Sequence, residues 1–300
     1  MSFLTKYFEP VNKAGVREKT GTLTYNKHTM QTAGNPTAKP RILYSCYHSR
    51  SREGEHFIPE YILSFQVSGT LTINDGRKEY VFKEGDIRFC HRNRLAKFIK
   101  QPPPGGEFRS VSIYLDQQTL RNFSMEYGYK AEHSKEGDTI MNVKSGPLYT
   151  SYLQSLMPYL NAPEDENEAL LSLKIKEAIL LLLKTNPGMK DILFNFSEPG
   201  KIDLEAFMHK NFHFNVELPR FAYLTGRSLA TFKRDFEKIF HTSPSRWLQQ
   251  KRLQEAYYLI REKHKKPSDV YLEVGFEDLS HFSFAFKKTF GVAPSLVGQA

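Results

Sequence analysis

The chain has 300 residues, is 40% apolar and 25% charged, and carries a formal net charge of +9. It is long enough for two domains with cores of their own, and its composition is that of an ordinary soluble protein. Its longest purely apolar run, Ala178 to Leu183, falls far short of the about 20 residues a membrane helix needs, so no membrane partner is expected. The opening "MSFLTKYFEP" lacks the long apolar core of a secretory signal. Two cysteines, Cys46 and Cys90, argue against a disulfide framework and make a reducing cytoplasm the expected setting. From Lys201 to Ala300, 16 Lys/Arg stand against 11 Asp/Glu, a surplus of five, while the preceding 200 residues hold the other four. A basic surplus concentrated in the last third favours an anionic partner, nucleic acid first; a solvated lysine-rich surface is the plainer alternative.

The first portion predicts strands. "RILYSCYH" (Arg41–His48), "YILSFQVSGTLTIN" (Tyr61–Asn74), "KEYVFKEGDIRFCH" (Lys78–His91) and "EFRSVSIYLD" (Glu107–Asp116) are rich in β-branched and aromatic residues. Turn residues separate them: Asn74-Asp75-Gly76, Glu84-Gly85-Asp86 and the Pro102–Gly106 run. Short strands with regular turns suggest a small barrel or sandwich. The period then changes. Gly146–Leu160 and Glu164–Thr185 carry apolar residues at helical spacing, with Leu170, Leu173, Ala178, Leu181 and Leu182 expected on one side and Lys174, Lys176 and Lys184 toward solvent. Asn186-Pro187-Gly188 stops the second helix, and "NFSEPGK" (Asn195–Lys201) reads as a linker. These breaks divide the chain into 1–145, a regulatory unit, 146–194, a helical segment able to pair two subunits, and 195–300, an all-helical unit.

Within the last unit a segment occurs twice. "SLATFKRDFEKIFHTSPS" (Ser228–Ser245) aligns without a gap with "DLSHFSFAFKKTFGVAPS" (Asp278–Ser295). In the first copy Ser228 is a good N-cap, Phe232, Phe236 and Phe240 form an apolar stripe at i, i+4 and i+8, and Pro244 after Ser243 opens a new helix. Glu217–Leu224 is a short preceding helix, and Gly226 permits a tight turn. The second copy repeats the plan with Val270–Val274, Gly275, an Asp278 cap and Phe282, Phe286 and Phe290 inside. Helix, glycine turn, helix with a basic outer face is the helix-turn-helix arrangement. One copy is a weak signal, and a bundle that merely reuses a motif would also show it. Two copies fit DNA geometry: the 18 residues of Pro244–Arg261 span roughly 27 Å as a helix, comparable with the about 34 Å between successive major grooves.

The features "LTGRSLATFKRDFEKIFHTSPSRWL", "KRLQEAYYLI" and "VGFEDLSHFSFAFKKTFGVAPS" resemble the DNA-binding domain of the AraC/XylS family of bacterial transcription regulators. The resemblance covers about the last hundred residues. It implies a sequence-specific regulator that is not an enzyme, with two lobes joined by a long helix and both third helices in successive major grooves of double-stranded promoter DNA. By position it implies base-facing roles for Ala230, Lys233 and Arg234 in the first lobe and for Ser280, Ser283 and Phe284 in the second. Phe284 stands where many family members have arginine. It cannot grip guanine but can touch a thymine methyl, so the first lobe is expected to discriminate bases better. The alternative is that Phe284 packs on the connecting helix. Arg227, Lys238, Lys251, Lys287 and Lys288 are the expected phosphate contacts as a group, although for each one alone a solvated cation is the plainer reading. The setting implied is cytoplasmic, nucleoid-associated when bound, with RNA polymerase as a further candidate partner.

Arg41–Asp116 resembles a cupin-like barrel, chiefly through "SGTLTINDGRKEYVFKEGDIRFCHRNRLAKF". The fold class expected is therefore α+β: a cupin-like β-barrel with following helices, then an all-α domain of two helix-turn-helix lobes. The alternative function is a cupin-type metalloenzyme with a helical appendage. The His-x-His pair that cupin enzymes commonly use is missing, and His48, His56 and His91 are scattered. Cys46 and His48 share a strand face, with Cys90-His91 on another strand, so a zinc site from these four is conceivable. The expectation is no metal, no cofactor and no catalytic residue. Tyr44, Tyr61, Phe65, Tyr80, Phe82, Phe89 and Phe98 are core or pocket lining, and "HRNRLAKFIK" (His91–Lys100) binds an anion or protects an edge strand. The residues identify no particular effector, small molecule or protein.

Overall fold

Among the described residues, ten strands occupy the N-terminal portion: β1 (Arg41–Tyr47), β2 (Phe57–Ile58), β3 (Tyr61–Ser68), β4 (Thr70–Asn74), β5 (Glu79–Phe82), β6 (Ile87–Cys90), β7 (Arg94–Leu95), β8 (Lys97–Gln101), β9 (Phe108–Leu115) and β10 (Ile140–Val143). The computed structural model describes residues 41–52, 56–133, 137–160 and 168–297. The strand expected over Tyr61–Asn74 is divided between β3 and β4 at Gly69, whose φ of +79° suits glycine. The one expected over Lys78–His91 is divided at the Gly85 turn, where the Asp86 carboxylate accepts the Lys83 N–H at 2.7 Å.

All pairings are antiparallel. A five-stranded sheet runs β1-β9-β3-β6-β10, a three-stranded one β5-β4-β8, and β2 pairs with β7. Alternate residues of the large sheet serve two cores. Tyr61, Leu63 and Phe65 of β3, Phe89 of β6 and Ile113 of β9 face the helices, whereas Cys90, Phe108 and Ile140 join Leu71, Ile73 and Phe82 of the smaller sheet. Burial on both faces explains why β3 and β6 lack a clean polar alternation. It also resolves the aromatics: Tyr61, Phe65, Phe82 and Phe89 are buried core, while Tyr44, Tyr80 and Phe98 are half-buried. Among the described residues the strands form separate sheets, so the region stands as a β-sheet region followed by helices.

Those helices are α1 (Gln117–Tyr127), α2 (Pro147–Leu156), α3 (Glu168–Thr185) and α4 (Met189–Leu193). α2 begins after Gly146 and ends in a tighter turn over Met157–Tyr159. Residues 164–167 of the second expected helix lie outside the described residues. The face assignment of α3 needs correction. Leu170 and Leu173 are 45% and 60% exposed, and the buried side is Ile175, Ala178, Ile179, Leu182 and Leu183. Lys174 is partly buried, donating to Ser155 Oγ at 2.7 Å and Glu177 Oε2 at 2.9 Å. No helix among the described residues is long and apolar enough to cross a membrane.

The C-terminal portion is all-helical: α5 (Leu204–Asn211), α6 (Leu218–Leu224), α7 (Leu229–Phe240), α8 (Pro244–Arg261), α9 (Pro267–Glu273) and α10 (Leu279–Phe290). α9 starts three residues before the expected Val270, with Pro267 in its first turn. Two cores divide these helices. One unites α5, α6 and α7 with Leu248 at the start of α8; the other unites the rest of α8 with α9 and α10.

Candidate nucleic-acid interface

The two copies of the repeated segment are α7 and α10, and each is set by the same local chemistry. Ser228 Oγ accepts the Thr231 N–H at 3.2 Å, and Asp278 Oδ1 accepts the His281 N–H at 2.6 Å. These side-chain acceptors satisfy N–H groups that have no partner within the helix. Phe232 and Phe236 are fully buried in α7, as are Phe282 and Phe286 in α10. Their rings pack in tilted contacts down each stripe, with the Phe240 and Trp247 centroids 4.7 Å apart in the first lobe and those of Phe290 and Tyr257 4.8 Å apart in the second. The turn glycines are obligatory. Gly226 has φ +65° and a Cβ there would lie 2.3 Å from the Gly200 carbonyl carbon; Gly275 has φ +99° and its Cβ would meet the His213 oxygen at 2.8 Å.

Burying one stripe leaves the opposite one in solvent. Ala230, Lys233 and Arg234 of α7 are exposed, as are Ser280 and Phe284 of α10, with Ser283 half-buried. Phe284 is 69% exposed, so it does not pack on the connecting helix. Lys238, Lys287 and Lys288 are exposed in the last turns of the two helices, and Lys251 is half-buried with its ammonium 6.0 Å from the Phe212 ring centroid. Arg227 behaves otherwise. Its side chain is only 7% exposed and is bound to Asp235 Oδ2 at 3.1 Å and to the Ile202 and Thr225 carbonyls. The sequence expectation of a phosphate contact there is corrected: Arg227 locks the turn of the first lobe onto α7.

A second set of cations lies between the lobes and the sheets, and sequence reasoning missed it. Arg252, in the middle of α8, donates to three carbonyls: Phe212 at 2.8 Å, Phe214 at 2.8 Å and Gly275 at 2.9 Å. The first two lie between α5 and α6 and the third in the turn before α10, so one guanidinium pins the two lobes together. From the sheet side, the Lys97 ammonium reaches the Leu272 and Glu273 carbonyls at the end of α9, at 3.4 and 2.5 Å. His56 Nδ1 accepts the Asn215 N–H at 2.8 Å. Burial, reinforced by Lys97 and Arg252, lowers His56 to about 4, and burial followed by Lys97 lowers His213 to about 3. Burial also brings Lys97 down to about 8 and Arg252 to about 10. Both histidines are thus neutral at pH 7, as acceptance by His56 Nδ1 requires. The expected linker is held as well: Arg92 Nη2 donates to the Ser197 carbonyl at 2.8 Å and the Asn195 carbonyl at 3.2 Å. Phe57 and Leu95 enter the core of the first lobe, with the Arg220 guanidinium 4.7 Å from the Phe57 ring centroid.

An outward face on each of two capped helices, each preceded by a glycine turn and repeated in one chain, is the geometry of a double helix-turn-helix. A family described as "Helix-turn-helix domain" matches residues 221–299, and one described as "ExsA N-terminal regulatory domain" matches residues 62–192. The chain carries an AraC-type helix-turn-helix domain after an ExsA-like regulatory domain. It is a DNA-binding regulator with an N-terminal regulatory domain, not an enzyme. The HTH-type transcriptional regulator ExsA of Pseudomonas aeruginosa is 25% identical over 235 residues, covering 76% of this chain and 82% of its own. The virulence regulon transcriptional activator VirF of Yersinia enterocolitica is 26% identical over 243 residues, covering 78% and 86%. A crystal structure of apo ToxT from Vibrio cholerae aligns with a TM-score of 0.45 and 12% identity over 86% of this chain and 96% of that one. These two domain matches replace the metalloenzyme alternative. The four-residue zinc arrangement is also not assembled: Cys90 is buried within the sheets, and neither it nor His91 joins Cys46 and His48.

Proposed function

We propose that this regulator inserts α7 and α10 into successive major grooves of promoter DNA. Ala230, Lys233 and Arg234 meet base edges in one groove and Ser280, Ser283 and Phe284 in the next. Lys238, Lys251, Lys287 and Lys288 meet phosphates. The observation that carries this reading is the pairing of two outward helix faces across an 18-residue α8, whose length of about 27 Å is on the scale of one turn of DNA. Arg234 can form a bidentate pair with guanine, whereas Phe284 offers only apolar contact to a thymine methyl.

The divisions at 145 and 194 carry over as the working domain boundaries, with the cupin-like sheets as the regulatory half. Control by a small-molecule or protein effector acts through the junction at Lys97 and Arg252. A shift of β8 moves the end of α9, and with it the angle between the two reading helices. The exposed Leu170, Leu173 and Leu180 of α3 form an apolar stripe suited to pairing with a second copy. Activation through RNA polymerase in the cytoplasm is the mode we favour, since VirF is named an activator.

Hydroxyl-radical footprinting of the full-length protein on DNA selected from a random pool tests the proposal. Two protected windows about one helical turn apart, on one face of the duplex, are expected. A single window, or failure to select any DNA at low salt, would overturn two-groove reading.

A further inference from the structure

We propose that Cys46, His48 and Glu107 form a binding site for a borderline transition-metal ion of the Zn²⁺ class, at the end of the β1–β9 pair. Their convergence follows from sheet geometry. Cys46 pairs in register with Arg109, and Tyr47 with Phe108. His48 directly follows this last pair and Glu107 directly precedes it. Residues two apart on a strand share a face, so Cys46, His48, Glu107 and Arg109 project to one side of the pair. The ligand atoms of Cys46, His48 and Glu107 all lie within 4.8 Å of one another.

The spacing suits an ion. With Zn–S about 2.3 Å and Zn–N and Zn–O about 2.0–2.2 Å, the edges of a coordination tetrahedron are about 3.4–3.6 Å. His48 Nδ1 and Glu107 Oε1 are already 3.3 Å apart. Arg109 holds the other carboxylate oxygen, Oε2, with Nη2 at 2.7 Å and Nε at 2.8 Å. This leaves Oε1 turned toward His48, and the outer contact fixes the ligand as such contacts do in metal sites. The guanidinium also reduces the carboxylate's basicity, so affinity rests chiefly on the thiolate and imidazole. That donor set selects Zn²⁺, Co²⁺ or Cu⁺ over Mg²⁺ or Ca²⁺.

Access is open. Cys46 is exposed, and the His48 side chain is 80% exposed. His48 also borders a cleft of about 640 Å³ that Gly69, Thr70, Glu84 and Gln101 help to line, leaving room for water in a fourth position. Binding would release the Cys46 thiol proton to solvent and tie the end of β1 to the start of β9. Sequence reasoning paired Cys46 and His48 with Cys90 and His91, because it could not see that Glu107 crosses to the same face.

The test is Co²⁺ titration of untagged full-length protein, read by absorbance. A thiolate-to-cobalt charge-transfer band saturating at one ion per chain is expected, displaced by Zn²⁺. Cys46→Ser should abolish the band, His48→Ala should weaken binding at least tenfold, and Arg109→Lys should weaken it by about tenfold. Zn²⁺ should also protect Cys46 of the wild-type chain from alkylation, a reading that requires no variant to fold. Absence of the band, its persistence in Cys46→Ser, or an unchanged alkylation rate in saturating Zn²⁺ would overturn the site.

Discussion

The two helix-turn-helix lobes share a scaffold and differ in both chemistry and attachment. Each has a capped third helix, a buried phenylalanine stripe and a positive-φ glycine in its turn. The first lobe shares its core with Phe57 and Leu95 of the sheet region, and the outward face of α7 carries Lys233 and Arg234. The second lobe has a core of its own, is held by Lys97 at the end of α9, and presents Ser283 and Phe284 at the matching positions. The positions that set the fold are alike because both stripes solve the same packing problem. The outward positions bear no packing constraint, so they are where the lobes diverge in chemistry.

The difference in attachment is broken most forcefully from inside. Phe236→Ala and Phe286→Ala should each cost about 3–5 kcal/mol, the usual loss for a fully buried phenylalanine. Denaturant unfolding followed by hydrogen exchange should show Phe236→Ala loosening β2 and β7 along with the first lobe. Phe286→Ala should loosen only α8–α10. Equal spread from both substitutions would show that the sheet region is no more coupled to one lobe than to the other.

Arg252→Met acts on the joint between the lobes. It removes the shared donor of three carbonyls and should cost about 3 kcal/mol. It should also weaken binding to a two-groove site far more than binding to a half-site. Proportional loss on both DNAs would mean that Arg252 supports the fold without setting the spacing.

The same joint predicts a pH dependence. His56 and His213 have folded values lowered to about 4 and about 3, so below the ordinary value of about 6.5 the unfolded chain takes up protons that the folded chain refuses. Stability is therefore full above that value and is lost as pH falls toward 4. The slope is up to about 1.4 kcal/mol per pH unit for each histidine. Denaturation midpoints across this window should fall with acid, and His56→Gln should flatten the dependence. A flat wild-type profile would contradict the neutral junction.

The smallest effects concern phosphate contacts. Lys238→Gln in the first lobe, and Lys287→Gln or Lys288→Gln in the second, should each lower the slope of log affinity against log salt by about 0.9. Arg227→Gln should leave that slope unchanged, because its guanidinium is occupied by Asp235 and two carbonyls.

The helical region was largely legible because its signals are local. Ser228, Asp278 and Pro244 mark helix starts, and α8 runs from Pro244 to Arg261, the same span the sequence predicts. α1 was missed although it carries comparable marks, an Asp116 cap and Gly128 at its end; only Leu120 and Phe123 are buried on it, so its apolar period is faint. Leu170 and Leu173 were misassigned because an apolar residue in a leucine-rich helix does not announce which neighbour covers it. Arg252 sits beside Lys251 in "KRLQ", and nothing local separates a pin between lobes from a solvent-facing cation. Arg227 is equally ambiguous locally, since its partner Asp235 lies across the turn. Long-range partners made these differences, and they exist only in the folded chain.

The central claim is that the lobes share a scaffold but read DNA unequally. Selection from a random DNA pool, run in parallel with the full-length wild type, Arg234→Ala and Phe284→Ala, tests it most directly. The account predicts that Arg234→Ala loses about 1–3 kcal/mol of preference at the bases of one half-site. Phe284→Ala should keep that half-site intact and relax only a thymine preference in the other. Retained preference in Arg234→Ala, or loss of both half-sites in Phe284→Ala, would contradict it.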